Sequence, residues 1–538
     1  MPVAAVVVLL AAAQDVELPP APTESAKRLD FKDGDPLVPV RLMENTAQVQ
    51  FSSKGRLKLK LAGDPEKTVE GPAGSRWSVK LVSGAPATIR ARIQIAEFLF
   101  ADKEGLAAAK KEWTEKGLPV RTHVLGQVFG IAGKVIDNRR YLLLIDEPLE
   151  VPQKLEARQA QVLKDFGIRT SLLEQVDVPA KAELDLLAAD GSVIATAKDK
   201  ITVESPDGAP IEVRQVEYGI GYDNHGFEDR AFRGSLQLMP DRAGKLAVIN
   251  LVSLEDLLKG LVPSEIFAKA HAEALKAQAV TARSEVLAKI GLKHLADPYL
   301  LCTEQHCAVY RGIVGEQATT TAAVEATKGE GLFSKDGHLV DATYSAVCGG
   351  HTENNDVVWG GPPNPSLRGV PDTLPGFKPS VAPAKLGAFL TTEAPHACRL
   401  SSFASPTKYR WEKRFTAKDV DEKVASLGVG QVMAMTVTER GVSGRARLLS
   451  ISGADGANVV RSELAIRRLF GMLNSAMFEV RAEKDAKGRP TAWIFTGGGW
   501  GHGVGMCQTG AIGRAEAGQS YREILGHYYS GAQVARIY

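Results

Sequence analysis

The longest regular pattern in the chain runs over 272–290, where Leu275, Ala279, Ala282, Val286 and Ile290 recur at helical spacing and Gly291 supplies the stop. Arg283 sits inside it with Val280, Ala279, Val286 and Leu287 as its neighbours three and four residues away. A guanidinium on or beside a buried face needs an acceptor, and Glu265 or a ligand oxygen would serve; a stem that carries the charge out to solvent is the alternative. A helix wrapped in apolar neighbours needs other layers to bury it, and 538 residues are too many for one core. About three domains are expected.

The sequence before this helix divides into smaller units. Val3 to Ala13 is an unbroken apolar run, too short for a bilayer core but fitting the central region of a secretory signal peptide, with small residues at its end. It lacks a preceding Lys or Arg. We expect residues 1–13 to direct export, against a buried N-terminal strand, and residues 14–54, polar and Pro-rich, to be a linker or arm. No later stretch has the length of a spanning helix, so no stable transmembrane anchor is expected. The stretch 88–100 (TIRARIQIAEFLF) alternates as a half-buried strand should, 102–116 is helical in composition, and 120–124 is extended again. Two small α/β units, 55–148 and 149–204, would account for this order. The turn-rich 204–210 (ESPDGAP) then marks a boundary. Ser253 and Asp256 resemble a capping box opening a helix that Pro263 interrupts, and seven prolines and four glycines over 360–384 make an irregular arm. The fold class expected is α+β.

With 65 basic against 63 acidic residues, no broad field exists for gripping nucleic acid or an anionic membrane. The phosphate loop, the nucleophile elbow and the zinc-protease helix motif are all absent. Three local features carry chemistry. Glu265 stands between a helix end and the bulky Ile266 and Phe267; desolvation there would raise its pKa toward that of a proton donor at neutral pH, whereas the plain reading makes it a first-turn helix residue. The run 497–505 (GGGWGHGVG) has the wrong spacing for a dinucleotide loop and reads as a tight turn presenting Trp500 and His502, or as a packed hairpin with a buried histidine. Cys302, His306 and Cys307, with His294 eight residues earlier, suit a tetrahedral zinc site, while a Cys302–Cys307 or Cys348–Cys398 disulfide, or free thiols, stay open.

Read in order, the stretches 248–265 (VINLVSLEDLLKGLVPSE), 274–283 (ALKAQAVTAR), 302–310 (CTEQHCAVY), 342–353 (ATYSAVCGGHTE), 499–511 (GWGHGVGMCQTGA) and 521–531 (YREILGHYYSG) resemble the sporulation stage II protein D family, also described as the amidase-enhancer type. They place such a domain over 216–538. The resemblance implies a lytic transglycosylase of the bacterial cell envelope that cleaves the bond between N-acetylmuramic acid and N-acetylglucosamine in strands stripped of stem peptides, leaving 1,6-anhydro ends. Its essential acid falls on Glu265, and its substrate contacts fall on Arg283, Tyr344, Ser345, His502 and Gln508. Members that hold zinc use the cluster matched by Cys302, His306 and Cys307. A single carboxyl could serve as acid and then base; a hydrolase would need a second carboxylate, for which Asp256 and Glu353 are the nearest by motif. A glycan-binding activator of a partner amidase and a zinc hydrolase are the rival readings. The chain departs from the family at Leu257, Ile266 and Ser284-Glu285, the last putting substrate contacts near 285 in doubt. The unit 55–148 weakly resembles sporulation-related-repeat glycan-binding domains.

Overall fold

The computed structural model describes residues 29–147, 150–168, 170–220, 225–304, 307–377 and 385–538. The expected signal peptide therefore lies outside the described residues, as does His306. None of the described helices is long and apolar enough to cross a membrane. The chain is a mixture of helices and strands, as its patterning implies.

Two antiparallel sheets form the N-terminal layer. One orders Asp35–Thr46, Leu246–Ser253, Ser235–Pro240, Ile201–Glu204 and Leu57–Leu61; the other orders Lys181–Leu187, Arg76–Ala85, Gln48–Ser53 and Ile211–Tyr218. Leu57–Leu61 (LKLKL) alternates between buried and partly exposed side chains, the period of two that a sheet with one face on a core demands. Val38, Leu59 and Leu238 from the first sheet share a continuous core with Val49, Leu184 and Val213 from the second.

This arrangement corrects the expected linker over 14–54. Asp35–Thr46 buries Val38, Val40 and Leu42 almost completely and pairs along its length with Leu246–Ser253. Pro36 and Pro39 suggested an arm, but proline is tolerated in a strand where its missing N–H is not needed for the ladder. The expected units 55–148 and 149–204 are also redrawn. Ser171–Val178 pairs with Thr88–Leu99, which pairs with Arg140–Ile145 and then Val120–Leu125, so one sheet spans both. Helices Lys103–Glu115 and Pro152–Phe166 cover it around Ile93, Trp113, Leu143 and Val162. Long-range strand pairing made one unit where local order suggested two.

The helix expected over 272–290 runs Ala272–Ala288 and is buried on nearly every side. It packs against helices Leu254–Glu265, Ala318–Ala326, Gln508–Glu516 and Tyr521–Tyr528. Two of its buried hydroxyls are satisfied within the helix: those of Thr281 and Ser284 donate to the carbonyls of Ala277 and Val280, both at 2.8 Å. Asn138, from the α/β unit, donates to the Ile290 carbonyl at 2.6 Å and to that of Ala288 at 3.2 Å, closing the C-terminal end. A further lobe lies late in the chain, with sheets Arg410–Thr416/Pro490–Gly498/Phe478–Lys484 and Val432–Arg440/Ala446–Gly453/Gly456–Arg461 around Trp411, Ile451, Phe470 and Phe495. Between 360 and 377 the expected arm has only isolated bridges, at Pro371 and Thr373.

Arg283 is fully buried, and its acceptor is Glu255 rather than Glu265. Nε and Nη2 each meet one carboxylate oxygen at 2.8 Å, and Nη1 donates to the Glu330 carbonyl at 3.0 Å. The fork leaves no donor directed at solvent, which corrects the expectation that Arg283 touches substrate. Truncating one member would strand a buried charge, so Glu255→Ala should lower stability by about 3–5 kcal/mol in urea unfolding, whereas Arg283→Met combined with Glu255→Leu should recover most of that loss.

Candidate active site

Glu265 is the last residue of helix Leu254–Glu265, not the first-turn residue of a new helix. A carboxylate at a helix C-terminus faces the negative end of the peptide dipoles. Ile266 turns into the core, while Phe267 is exposed and stacks on Phe403 at 5.0 Å between ring centroids. Glu265 itself is half-buried. Burial, and then the nearby Glu285 carboxylate, push its pKa up to about 7; hydrogen bonding from the Tyr344 hydroxyl and the Val309 backbone N–H, and the Lys289 charge, pull the other way. Glu285 and Lys289 form an ion pair across one turn of the central helix. Asp341 adds to their field and lies 3.7 Å from Arg140 of the α/β unit.

Three sequence motifs converge on this carboxyl. Tyr344–Ser345 pairs in parallel with Met506–Cys507, joining the Tyr-Ser segment to the Gly-rich segment. That approach needs Gly505: its φ is +70° and a Cβ there would stand 2.0 Å from the Thr343 carbonyl oxygen. Gln508, next along, donates from Nε2 to the Glu265 carbonyl at 2.8 Å and to Gln278 Oε1 at 3.1 Å. It therefore holds the acid's backbone. The third motif, Cys302 to Tyr310, brings the Val309 N–H.

The remaining expected contacts divide. His502 Nδ1 accepts from the Val504 N–H at 3.0 Å. Burial, with Arg445 and Arg467 nearby, pushes its pKa down to about 3, so the ring is neutral and occupied within the protein. Ser345 is buried and its hydroxyl has no hydrogen-bond partner among the described residues. Asp256 is bound to Lys259, and Glu353 is fully buried with its carboxylate accepting from Ser443 Oγ at 2.6 Å, so neither is placed as a second catalytic carboxylate.

Sequence reading missed Lys289, Val309 and Trp359, and saw Glu285 only as a departure. The four-residue spacing of Glu285 and Lys289 on a predicted helix was the available signal. Trp359 is 53% exposed with its ring 5.0 Å from that of His502; Trp500 is 42% exposed. Surface hollows of about 560 Å³ beside Trp77 and Arg214 and about 420 Å³ beside Glu393 and Arg410 do not include Glu265.

Cys302 and Cys307 sulfurs lie 2.7 Å apart, and His294 Nε2 is 3.1 Å from Cys307 Sγ. The other ring nitrogen of His294 meets Asp297 Oδ2 at 2.9 Å, the carboxylate–histidine arrangement that orients a metal ligand. These three donors are of the kind that hold zinc, with room in the ligand count for a fourth, but the two sulfurs would have to separate by about 1 Å to share one tetrahedral ion.

Residues 242–333 match a family model described as Stage II sporulation protein, and residues 353–505 match one described as a domain of unknown function. The chain is similar to an uncharacterized protein of Brachyspira hyodysenteriae (28% identity, covering 58% of this chain and 74% of that one). It is also similar to the amidase enhancer of Bacillus subtilis (28%, 51% of this chain and 39% of that one) and to stage II sporulation protein D of the same organism (26%, 53% and 75%).

The elevated Glu265 pKa makes stability depend on pH. Because the folded value lies near 7 and the ordinary one is 4.5, proton binding favours the fold; that contribution is complete below pH 4.5 and is lost as pH rises through 7. Glu265→Gln should therefore be more stable than the parent by about 3 kcal/mol at pH 8 and equal to it at pH 4, by urea unfolding. Glu285→Gln removes the like charge and should move the Glu265 titration, followed by carbon NMR of labelled glutamate, to lower pH.

Proposed function

We propose, from the Stage II sporulation protein region at 242–333 and the geometry around Glu265, that the protein is a lytic transglycosylase of peptidoglycan glycan strands. The observation that carries this reading is the half-buried Glu265 carboxyl, poised near neutrality and touched by donors from two other motifs. Protonated, it donates to the glycosidic oxygen as the bond to C1 breaks. As carboxylate, it then takes the proton of the muramic 6-hydroxyl while that oxygen closes on C1, so the enzyme ends as it began and the product carries a 1,6-anhydro end. Tyr344 and the Val309 N–H orient the carboxyl and stabilise its ionised form, the Glu285 field keeps a useful fraction protonated, and Gln508 fixes the backbone that carries it.

The exposed indoles of Trp359 and Trp500 offer flat apolar faces for pyranose rings. A nearly balanced charge suits strands that have lost their ionised stem peptides. His294, Cys302 and Cys307, with His306 as the sequence-adjacent candidate, would hold zinc; bound there, the metal would supply a fixed geometry for the loop that presents Val309. Such a role places the protein in the bacterial cell envelope, after export directed by residues 1–13. A second reading, supported by similarity to a protein named amidase enhancer, is a non-catalytic glycan-binding activator of a cell-wall amidase.

Incubation with amidase-treated glycan strands and mass spectrometry of the products separates these. The parent should release anhydro ends, and Glu265→Gln should lower the rate at least about 100-fold. Reducing ends would mean hydrolysis, and binding without cleavage, together with stimulation of an amidase, would favour the activator. Trp359→Ala should raise KM several-fold with little change in kcat, because the exposed ring touches substrate and not the acid.

A further inference from the structure

A second cluster of metal-binding side chains lies in the interior, apart from His294, Cys302 and Cys307. Cys348, Asp372, Cys398 and Cys507 are all fully buried, and their ligand atoms lie within 4.8 Å of one another. Their chain positions are far apart. Cys348 follows the Tyr-Ser segment, Asp372 lies in the Pro-rich arm, Cys398 is on the short helix Ala397–Leu400, and Cys507 caps helix Gln508–Glu516.

The ligand atoms are close enough together to share one ion. Cys348 and Cys398 sulfurs are 3.7 Å apart. A tetrahedral Zn²⁺ with bonds to sulfur of about 2.3 Å sets adjacent sulfurs about 3.8 Å apart. The outer contacts are also in place. Cys507 Sγ accepts from the backbone N–H of Cys348 at 3.1 Å and of Gly510 at 3.3 Å. Asp372 Oδ2 accepts from the Cys398 N–H at 2.9 Å, and Oδ1 from the Tyr528 hydroxyl at 2.6 Å, with buried Arg514 Nε at 3.6 Å. Gly510 makes this possible, since a Cβ there would stand 2.2 Å from the Tyr528 oxygen. Donors to the ligand atoms fix their orientation, and Arg514 offsets part of the negative charge that three thiolates and a carboxylate would bring.

We propose that Cys348, Asp372, Cys398 and Cys507 bind one structural Zn²⁺, closed to solvent and separate from any metal at Cys302 and Cys307. Soft thiolates in a four-ligand set select zinc over the hard cations, and complete burial leaves no position for substrate or water. The site would clamp both ends of the 353–505 segment, which begins five residues after Cys348 and ends two before Cys507. Tyr344 precedes Cys348 by four residues and Gln508 adjoins Cys507, so the metal acts as a positioning device for two groups at Glu265, whatever reaction that carboxyl performs.

The test uses the full chain with both thiols of the other cluster removed (Cys302→Ser with Cys307→Ser), dialysed against zinc and then buffer. Elemental analysis should find one zinc per chain, and X-ray absorption should find about three sulfurs and one lighter ligand around it. Adding Cys398→Ser should abolish that zinc. A folded double-serine variant free of zinc, or zinc surviving Cys398→Ser unchanged, overturns the proposal, as does a Cys348–Cys398 disulfide in peptides from the native protein. Should the double-serine variant fail to fold, Asp372→Asn and Cys398→Ser in the parent keep the question open to measurement: each should remove one zinc equivalent or weaken its retention against a chelator at least tenfold, and an unchanged content refutes the site.

Discussion

The buried pair between Arg283 and Glu255 sets the frame in which everything near Glu265 is placed. Arg283 lies on the central helix and Glu255 on the helix that ends in Glu265, so two charge-assisted bonds at 2.8 Å fix one helix against the other. A fully buried guanidinium with one carboxylate partner admits little variation in register, because any slip strands a charge in the interior. The central helix also carries Glu285 and Lys289, whose charges act on Glu265. The field at the acid is thus a consequence of how the two helices are locked.

Around that frame, each of the motifs performs a holding task more than a direct chemical one. Gln508 grips the backbone of Glu265, His502 accepts from the Val504 N–H within the Gly-rich loop, and the loop after Cys307 brings the Val309 N–H. At the centre of this arrangement stand the Glu265 carboxyl and the Tyr344 hydroxyl that bonds to it. The α/β unit reaches the same region, through Asn138 on the end of the central helix and Arg140 beside Asp341. It is therefore a neighbour of the site and not a detached appendage.

Much of this was legible in the residues. Helical spacing located the central helix to within two residues of its end, and the apolar neighbours of Arg283 placed it on or beside a buried face. The alternation over 88–100 located a strand that the structure confirms. The errors share a cause. The strand at 35–46 reads as an arm, and the one at 171–178 as part of a separate unit, because their partners, at 246–253 and 88–99, are distant in sequence and pairing is a property of the sheet. Arg283 was given the wrong acceptor for the same reason: Glu255 and Glu265 are both on one helix, and only its rotation and depth decide which reaches the guanidinium.

The sequence by itself determined which groups are present and how each segment prefers to fold: a helix-end acid, a helix with one arginine among apolar residues, a glycine run free to adopt positive φ, and five thiols. Those properties follow from local sterics and periodicity, which a chain carries wherever it goes. The tertiary structure alone decided that Glu265 lies near Glu285 and is pushed toward neutrality, that His502 accepts from the Val504 N–H, and that Cys398 meets Cys348 and Cys507 from distant parts of the chain. Desolvation, charge proximity and ligand convergence depend on distances through space, and packing is what sets those distances.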